Sequence, residues 1–321
     1  MQKTLLFIYN AHAGKGRIKN QLEPILDTFM KNVYLTTVMP TQKRGDACDW
    51  SMEMGDKYDL LVCSGGDGTL DEVISGMMKA GHKTPIGYIP AGSTNDFANS
   101  LAIPKSMKKA AKLAVTGESF FCDAGQFNKE YFIYIVAFGA FTEVSYETKQ
   151  EYKNVLGHAA YLLEGMRQLG KIKSYRVQVV SDALTVEDEF IYGMVTNSTS
   201  VGGVLTVGGK NVMLDDGLFE VTLIKMPKNP LELQNILVAL LLEQVDSKYM
   251  YSFKTSHVEF HSEDAIPWTL DGEYGGHRKD VTIENRERAL ELIVDTSKMR
   301  SKIMENNPEK LTEQIDKKLS K

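Results

Sequence analysis

The sequence predicts an α/β chain in two parts: a Rossmann-like domain on a parallel sheet, followed by a mainly antiparallel β-sandwich domain, with the active site in the cleft between them. Short apolar runs alternate with helical stretches in the first part of the chain, and strand-like runs dominate after about Gly125. Glycine-rich loops follow the early apolar runs, at the edge where a parallel sheet meets its ligands. A chain of 321 residues has room for two cores, on a prior of roughly 150 residues per domain.

Leu5 to Tyr9 reads as the first strand, followed by the loop Asn10-Ala11-His12-Ala13-Gly14-Lys15-Gly16 and a helical stretch to about Lys31. Val33 to Met39 reads as a second strand and Gly45 to Met54 as a helix. The strand Tyr58 to Cys63, the helix Leu70 to Ala80 and the strand Pro85 to Ile89 complete a β-α-β-α-β-α-β alternation. After a short helix at Met107 to Thr116 come the runs Tyr131–Phe138, Tyr175–Val180, Glu189–Asn197 and Phe219–Lys225, which read as antiparallel strands. Helices are expected near His158–Gln168 and over Pro230–Leu242, and Glu291–Asp295 as a last strand. The expected division is 1–124 for the first domain and 125–285 for the second, with 286–321 packing back on the first. The lysine-rich tail from Ser297 reads as a surface helix or a frayed end.

Ser64 to Glu72 reads Ser-Gly-Gly-Asp-Gly-Thr-Leu-Asp-Glu directly after an apolar run, the order strand, loop, helix. Glycines let the backbone turn with positive φ and approach an anion, and Thr69 with Glu72 has the spacing of a capping box. A helix N-terminus there favours phosphate, and Asp67 inside the loop could hold magnesium through water. The same four residues Gly65 to Gly68 also suit a plain turn between strand and helix. Composition narrows the classes: a net charge of −5 argues against a general nucleic-acid binder. The three cysteines form no CxxC pair and the six histidines show no zinc spacing. A reducing cytoplasm fits, and no apolar run approaches the roughly 18 residues of a membrane helix.

Asp67, Asp96 and Asp123 each follow a predicted strand or helix end, and together they could converge on one magnesium ion. Singly, each is equally well a cap or turn residue. In the second part, Trp268-Thr269-Leu270-Asp271-Gly272-Glu273 places Asp271 and Glu273 on one face if the segment is extended. A carboxylate of this kind can accept the proton of an alcohol during phosphoryl transfer. Asp-Gly between strands is also a strong hairpin signal, and Met213-Leu214-Asp215-Asp216-Gly217-Leu218 carries the same ambiguity.

Taken together these blocks resemble the soluble bacterial diacylglycerol kinases, within a lipid kinase superfamily that shares its phosphate loop with NAD kinases and phosphofructokinases. The resemblance rests on Asn10–Lys15, Gly65–Glu72, Pro90–Phe97, Asp123-Ala124-Gly125 with Tyr131-Phe132, Val144–Thr148, Leu214–Gly217 and Asp271–Gly276. It implies ATP surrounded by Asn10, Ala11, His12, Ala13, Gly14, Thr41, Gly66, Asp67, Gly68, Thr69, Leu70, Asp71, Glu72 and Ser93, with Asp271 as general base. It also implies a water-linked network of Asp67, Asp96 and Asp123 around the catalytic magnesium, with Glu273 nearby. A second, structural magnesium is implied at Asp216 with the carbonyls of Met213 and Leu218. Ser93 stands where the family has threonine, and Ala11 and Ala13 replace the more usual proline and serine of the opening loop.

The activity implied is ATP- and magnesium-dependent phosphorylation of diacylglycerol to phosphatidic acid in phospholipid metabolism. Other lipid alcohols as acceptors (phosphatidylglycerol, a sphingoid base, an undecaprenol-like alcohol), NAD phosphorylation, and a non-catalytic nucleotide or lipid sensor are the alternatives. An insoluble acceptor requires transient contact of a cytoplasmic protein with the membrane surface. Tyr161–Lys173 and the lysines Lys105, Lys108, Lys109 and Lys112 are the candidate contacts, and are equally well solvated helix faces. Exposed strands or the tail could mediate a homodimer.

Overall fold

A computed structural model describes residues 2–92, 95–139, 173–197, 200–201, 204–205, 213–241 and 245–305. Strands β1 (Lys3–Tyr9), β2 (Tyr34–Pro40), β3 (Leu60–Gly65) and β4 (Ile86–Pro90) run parallel in the order β2-β1-β3-β4. Leu5 to Ile8 and Leu61 to Cys63 are completely buried. Successive strand residues point to opposite faces, so burial without alternation means that both faces are covered. Helices Leu22–Lys31, Asp46–Met54, Asp67–Ala80 and Met107–Thr116 connect or flank these strands, each within a few residues of its expected span.

The second half is antiparallel, as expected. It contains β5 (Glu118–Phe127), β6 (Glu130–Phe132), β7 (Ile135–Gly139), β8 (Tyr175–Ser181), β9 (Thr185–Thr196), β10 (Ser200–Val201) and β11 (Val204–Leu205). β12 (Phe219–Lys225), helix Pro230–Leu241, β13 (Met250–Thr255), β14 (His257–Leu270), β15 (Glu273–Val294) and helix Thr296–Glu305 follow. Most of these strands bond in the order β13-β12-β9-β7-β14-β15, and β15 meets β4 at Leu292 and Ile86. One mixed sheet of 13 strands thus runs through both halves. The expectation is met at the level of a sheet-rich α/β fold.

Two departures from the expected elements bear on the site. The run Tyr131–Phe138 is not one strand: it breaks between β6 and β7, where the amides of Ile133, Tyr134 and Ile135 turn to the Asp271 carboxylate. The expected boundaries at 124/125 and 285/286 both fall inside strands, β5 and β15. These two strands pair on both sides of a bulge, Ile283–Arg286 with Phe127–Ala124 and Leu290–Val294 with Cys122–Glu118. Leu290, Leu292 and Val294 enter the apolar core of the first half, whereas Val281 and Ile283 belong to a second core with Trp268, Phe138 and Phe260. The halves are joined by a continuous ribbon, which fixes their register far better than a linker would. The expected helix near His158–Gln168 and the stretch from 306 lie outside the described residues.

Candidate active site

Two loops at the carboxyl edge of the parallel sheet approach each other closely. A Cβ on Gly92, in the loop after β4, would lie 2.6 Å from the Cα of Gly66 in the loop after β3. Ala91 and Gly92 donate their amides to the Gly65 carbonyl at 2.7 and 3.2 Å. The Asn95 side chain closes the second loop by accepting from Gly92 N and donating to Gly92 O, each at 2.9 Å. Against the expectation from sequence, the glycines of the first loop do not use positive φ: Gly66 is extended at φ −85°, and the close approach of the two loops excludes a side chain at Gly92. Positive φ occurs instead at Gly14, Asn95, Asp271 and Gly272. Gly14 is doubly constrained, because its Cβ would fall 1.9 Å from the Ala91 carbonyl oxygen.

The expected capping box at Thr69 and Glu72 does not form. Helix Asp67–Ala80 begins before Thr69, with Gly66 at its N-cap and no side-chain cap, so Thr69 already lies in the first turn. Its hydroxyl accepts from Asn10 Nδ2 at 3.4 Å, tying the opening loop to the phosphate loop. Asn10 Oδ1 in turn accepts from His12 N at 2.9 Å. Glu72 caps a different helix: its oxygens accept from Gly45 N at 2.9 Å and Ala47 N at 3.3 Å. Thr41, buried, donates its amide to Tyr9 O at 2.9 Å. Thr69 N and Leu70 N donate to the Gly66 carbonyl at 3.1 and 3.2 Å, so any anion-binding character of this helix N-terminus rests on the amides ahead of them.

Asp271 and Gly272 form a two-residue hairpin turn between β14 and β15, with Leu270 paired to Glu273 and φ of 49° and 84°. The hairpin reading of this block is therefore correct. The turn is not extended, so Asp271 and Glu273 do not share a strand face. The Asp271 carboxylate is buried: Oδ2 accepts from Ile133 N at 2.6 Å, and Oδ1 from Tyr134 N and Ile135 N at 3.0 and 2.9 Å. Burial pushes its pKa up to about 6 despite these three donors, and the charge of Asp67 adds to the rise. Half-buried Asp71 shares a hydrogen bond with the Asp271 side chain; burial and the Asp271 charge raise its pKa as well. A bond between two carboxyls requires a proton between them, so the pair titrates as a unit.

Asp67 and Asp96 join this cluster from the two loops. Asp67 Oδ2 accepts from Asp96 N at 3.2 Å, at the start of helix Asp96–Ser100. The Tyr134 phenol, donating to Asp271 O at 3.1 Å, is held neutral by burial and by the charges of Asp271, Asp67, Asp96 and Asp71. Tyr88, whose hydroxyl donates to Gly65 O at 3.1 Å, is raised likewise by burial and then by Asp67. Glu273 Oε1 lies 3.8 Å from where a Cβ on Gly68 would sit. Arg44 Nη2 approaches Glu273 Oε2 to 3.4 Å.

Asp123 is completely buried and engaged elsewhere: Oδ2 accepts from Gly217 N at 2.8 Å and Asn285 Nδ2 at 3.3 Å, and Oδ1 from Arg288 N at 2.7 Å. It ties the Leu214–Gly217 turn to the bulge of the β5–β15 ribbon. Among the described residues, no three His, Cys, Asp or Glu side chains converge closely enough to hold a metal directly. In the turn, Asp216 Oδ1 accepts from Leu218 N at 3.2 Å, and Oδ2 lies 3.4 Å from Lys254 Nζ; Met213 is exposed. Ser93, Val144–Thr148 and residues 161–172 lie outside the described residues. A cavity of about 480 Å³ opens beside Pro90, Gly92 and Asn95, toward Arg17 and Lys105, and none of the clustered carboxylates lines it.

Sequence reasoning missed Tyr134, Tyr88, Asn95 and Arg44. Of these, Asn95 had a readable signal, an asparagine following a Gly-Ser-Thr loop and preceding a helix.

The diacylglycerol kinase catalytic domain family matches residues 4–127. A diacylglycerol kinase of Bacillus subtilis is 32% identical over 276 residues, spanning 85% of this chain and 91% of that protein. One from Staphylococcus aureus is 32% identical over 313 residues, spanning 96% and 97%. Among solved structures, a Bacillus anthracis protein assigned as a diacylglycerol kinase superposes with a TM-score of 0.77 at 25% identity, covering 91% of this chain and 95% of that one.

Proposed function

The chain belongs to the diacylglycerol kinase catalytic domain family, and from that premise we propose that it transfers the γ-phosphate of ATP, with magnesium, to the free hydroxyl of diacylglycerol, forming phosphatidic acid. It is a diacylglycerol kinase by its relatives. The observation that carries the chemistry is the meeting of Asp271, from the second half, with Asp71 and Asp67 at the phosphate loop of the first. Proton acceptor and phosphate loop come from opposite sides of one place.

In this reading 1–124, with the strand end after 285, is a Rossmann-like nucleotide domain. Residues 125–285 form a β-sandwich acceptor domain, and the active site is the cleft between them. One apolar core lies wholly within 125–285 and supports the division, while the core of the first half also takes in Ile133, Ile135, Ala137, Met194 and Leu214 from across it. The opening loop at Asn10–Gly14, Thr41, the first turn at Gly66–Glu72 and Ser93 bind ATP. Asp271 takes the hydroxyl proton as the lipid oxygen attacks the γ-phosphorus and the bond to ADP breaks. Three backbone donors fix the orientation of Asp271, and Asp71 holds the other side of the carboxyl.

The donor set fits magnesium: oxygen carboxylates, too few for a protein cage, suit an ion that keeps water and substrate phosphates as ligands. Asp67 and Asp96 would hold it through water, where it would neutralise charge developing on the phosphates; Asp123, whose oxygens are taken up by Gly217, Asn285 and Arg288, would contribute only by fixing the ribbon behind them. Asp216, with the carbonyls of Met213 and Leu218, would hold a second, structural ion, which would have to displace the Lys254 ammonium from Asp216.

Acceptor access requires transient contact of a cytoplasmic protein with a bilayer. Exposed Lys105, Lys108 and Lys109 are the described candidates, while Lys112 donates to Asn32 Oδ1 at 3.1 Å. No helix among the described residues is long and apolar enough to cross a membrane.

The test is transfer of labelled γ-phosphate, with magnesium, to mixed micelles of diacylglycerol, phosphatidylglycerol, sphingosine or ceramide in separate assays. Labelling of diacylglycerol alone is expected. Labelling of a different lipid alone replaces the acceptor, and ATP binding without labelling of any lipid favours the sensor reading.

A further inference from the structure

We propose that Arg44 binds the terminal phosphates of the nucleotide, and that its ion pair with Glu273 is the contact those phosphates replace. The proposal rests on the ATP-dependent reading above and adds to it a residue that the glycine loops do not point to.

Arg44 projects from a loop whose backbone is fixed on every side. Thr41 N is held by Tyr9 O at 2.9 Å, and Gln42 N and Lys43 N donate to Asp46 Oδ2 at 2.7 and 2.9 Å. Gly45 N and Ala47 N are held by Glu72, from the phosphate-loop helix itself. The loop therefore moves as one piece with the first turn of Asp67–Ala80. The Arg44 side chain, by contrast, is 78% exposed, so its guanidinium is free to re-aim from a fixed Cα.

That guanidinium already reaches the site. It contacts Glu273, whose other carboxylate oxygen lies close over Gly68 in the first helical turn. The charges of Asp271, Glu72 and Glu273 act on Asp71, and that of Asp67 on Asp271, so a polyphosphate entering among them needs cations. Guanidinium matches phosphate with two parallel donors, and an exposed ion pair such as Arg44–Glu273 contributes so little that exchange for phosphate is easy. Glu273 then serves to hold Arg44 over the loop in the empty site and gives it up when the nucleotide arrives.

The test compares ATP and AMP affinity in magnesium, by calorimetry, for wild type, Arg44→Met and Arg44→Lys, with kcat and KM for ATP from the lipid assay. Arg44→Met is expected to weaken ATP binding about tenfold to a hundredfold, the range for hydrogen bonds to charged groups, while AMP binding stays within about twofold. Arg44→Lys recovers part of the loss, and the melting temperatures of all three agree. Unchanged ATP affinity in Arg44→Met, or equal weakening of AMP and ATP, overturns the proposal. If wild type labels no lipid, the acceptor reading fails, while the ATP and AMP comparison still decides the role of Arg44.

Discussion

Replacing Asp271 by asparagine separates the proton-accepting role proposed for this carboxyl from the structural role that its hydrogen bonds show. As an anion, Asp271 accepts three backbone amides, two at Oδ1 and one at Oδ2, the last at 2.6 Å from Ile133 N. Asparagine keeps the Oδ1 pair but puts an NH2 group against Ile133 N, a donor facing a donor. Leaving one buried amide unsatisfied costs about 1–3 kcal/mol. Part of this is returned, because the new amide can donate to Asp71 and one buried charge is gone. Asparagine also tolerates the positive φ of the turn, which alanine does not. The net expectation is a melting temperature lower by a few degrees, on a scale of about 2–4 °C per kcal/mol for domains of this size. Catalysis suffers far more. Loss of a positioned general base removes about 10²–10⁴ in rate, so kcat for labelled phosphate transfer should fall at least about a hundredfold. ATP affinity, measured by calorimetry on the same preparation, should hold within about threefold, since the phosphate loop is untouched. A variant that folds, binds ATP and turns over within about tenfold of wild type would show that Asp271 only staples the β6–β7 break, and the mechanism would need another base.

Three further outcomes follow from the geometry. Gly14→Ala combines positive φ with a Cβ placed against the Ala91 carbonyl, a strain of about 1–3 kcal/mol; equilibrium unfolding should report that loss and calorimetry a weakened ATP site, whereas wild-type behaviour in both assays refutes the packing argument. Glu72→Ala removes the acceptor of Gly45 N and Ala47 N, at about 1–3 kcal/mol, and by loosening the loop that carries Arg44 it should raise KM for ATP more than it lowers kcat. For pH, Asp271 has a folded pKa of about 6 against an ordinary 3.8. The raised value means that its contribution to stability is fully present below about 3.8 and is lost as pH rises through about 6. The base is needed ionised, so kcat/KM should fall with unit slope below about 6 and be flat above it; an acid limb of the same position in Glu273→Gln but absent in Asp271→Asn assigns it, and a limb that survives in Asp271→Asn assigns it elsewhere.

The parallel half was legible because its signals are local. Four apolar runs, the helices after them and the glycine loops at their carboxyl ends are each contained in a short window. The glycine loop after β3 was legible for the same reason, although it does not use positive φ and the close approach of the two loops falls on Gly92. What the sequence could not show are contacts set by long-range register. Asp271 meets Asp71 only because β14 and β15 hold the hairpin over helix Asp67–Ala80, across 200 residues of chain. β5 and β15 were missed as whole strands because each crosses from one core to the other, so that their apolar residues change partners midway and no single periodicity runs through them. Glu72 shows the same limit from the other direction. Its spacing from Thr69 satisfied a local rule, but Gly66 already occupied the cap, and the amides at Gly45 and Ala47 were a better partner than its own helix. A local motif states which groups need partners; the tertiary register decides which partners they receive. At this site the difference matters, because the same register that sends Glu72 to the Arg44 loop leaves Asp71 facing Asp271, and so joins the glycine loop after β3 and the β14–β15 hairpin in one network.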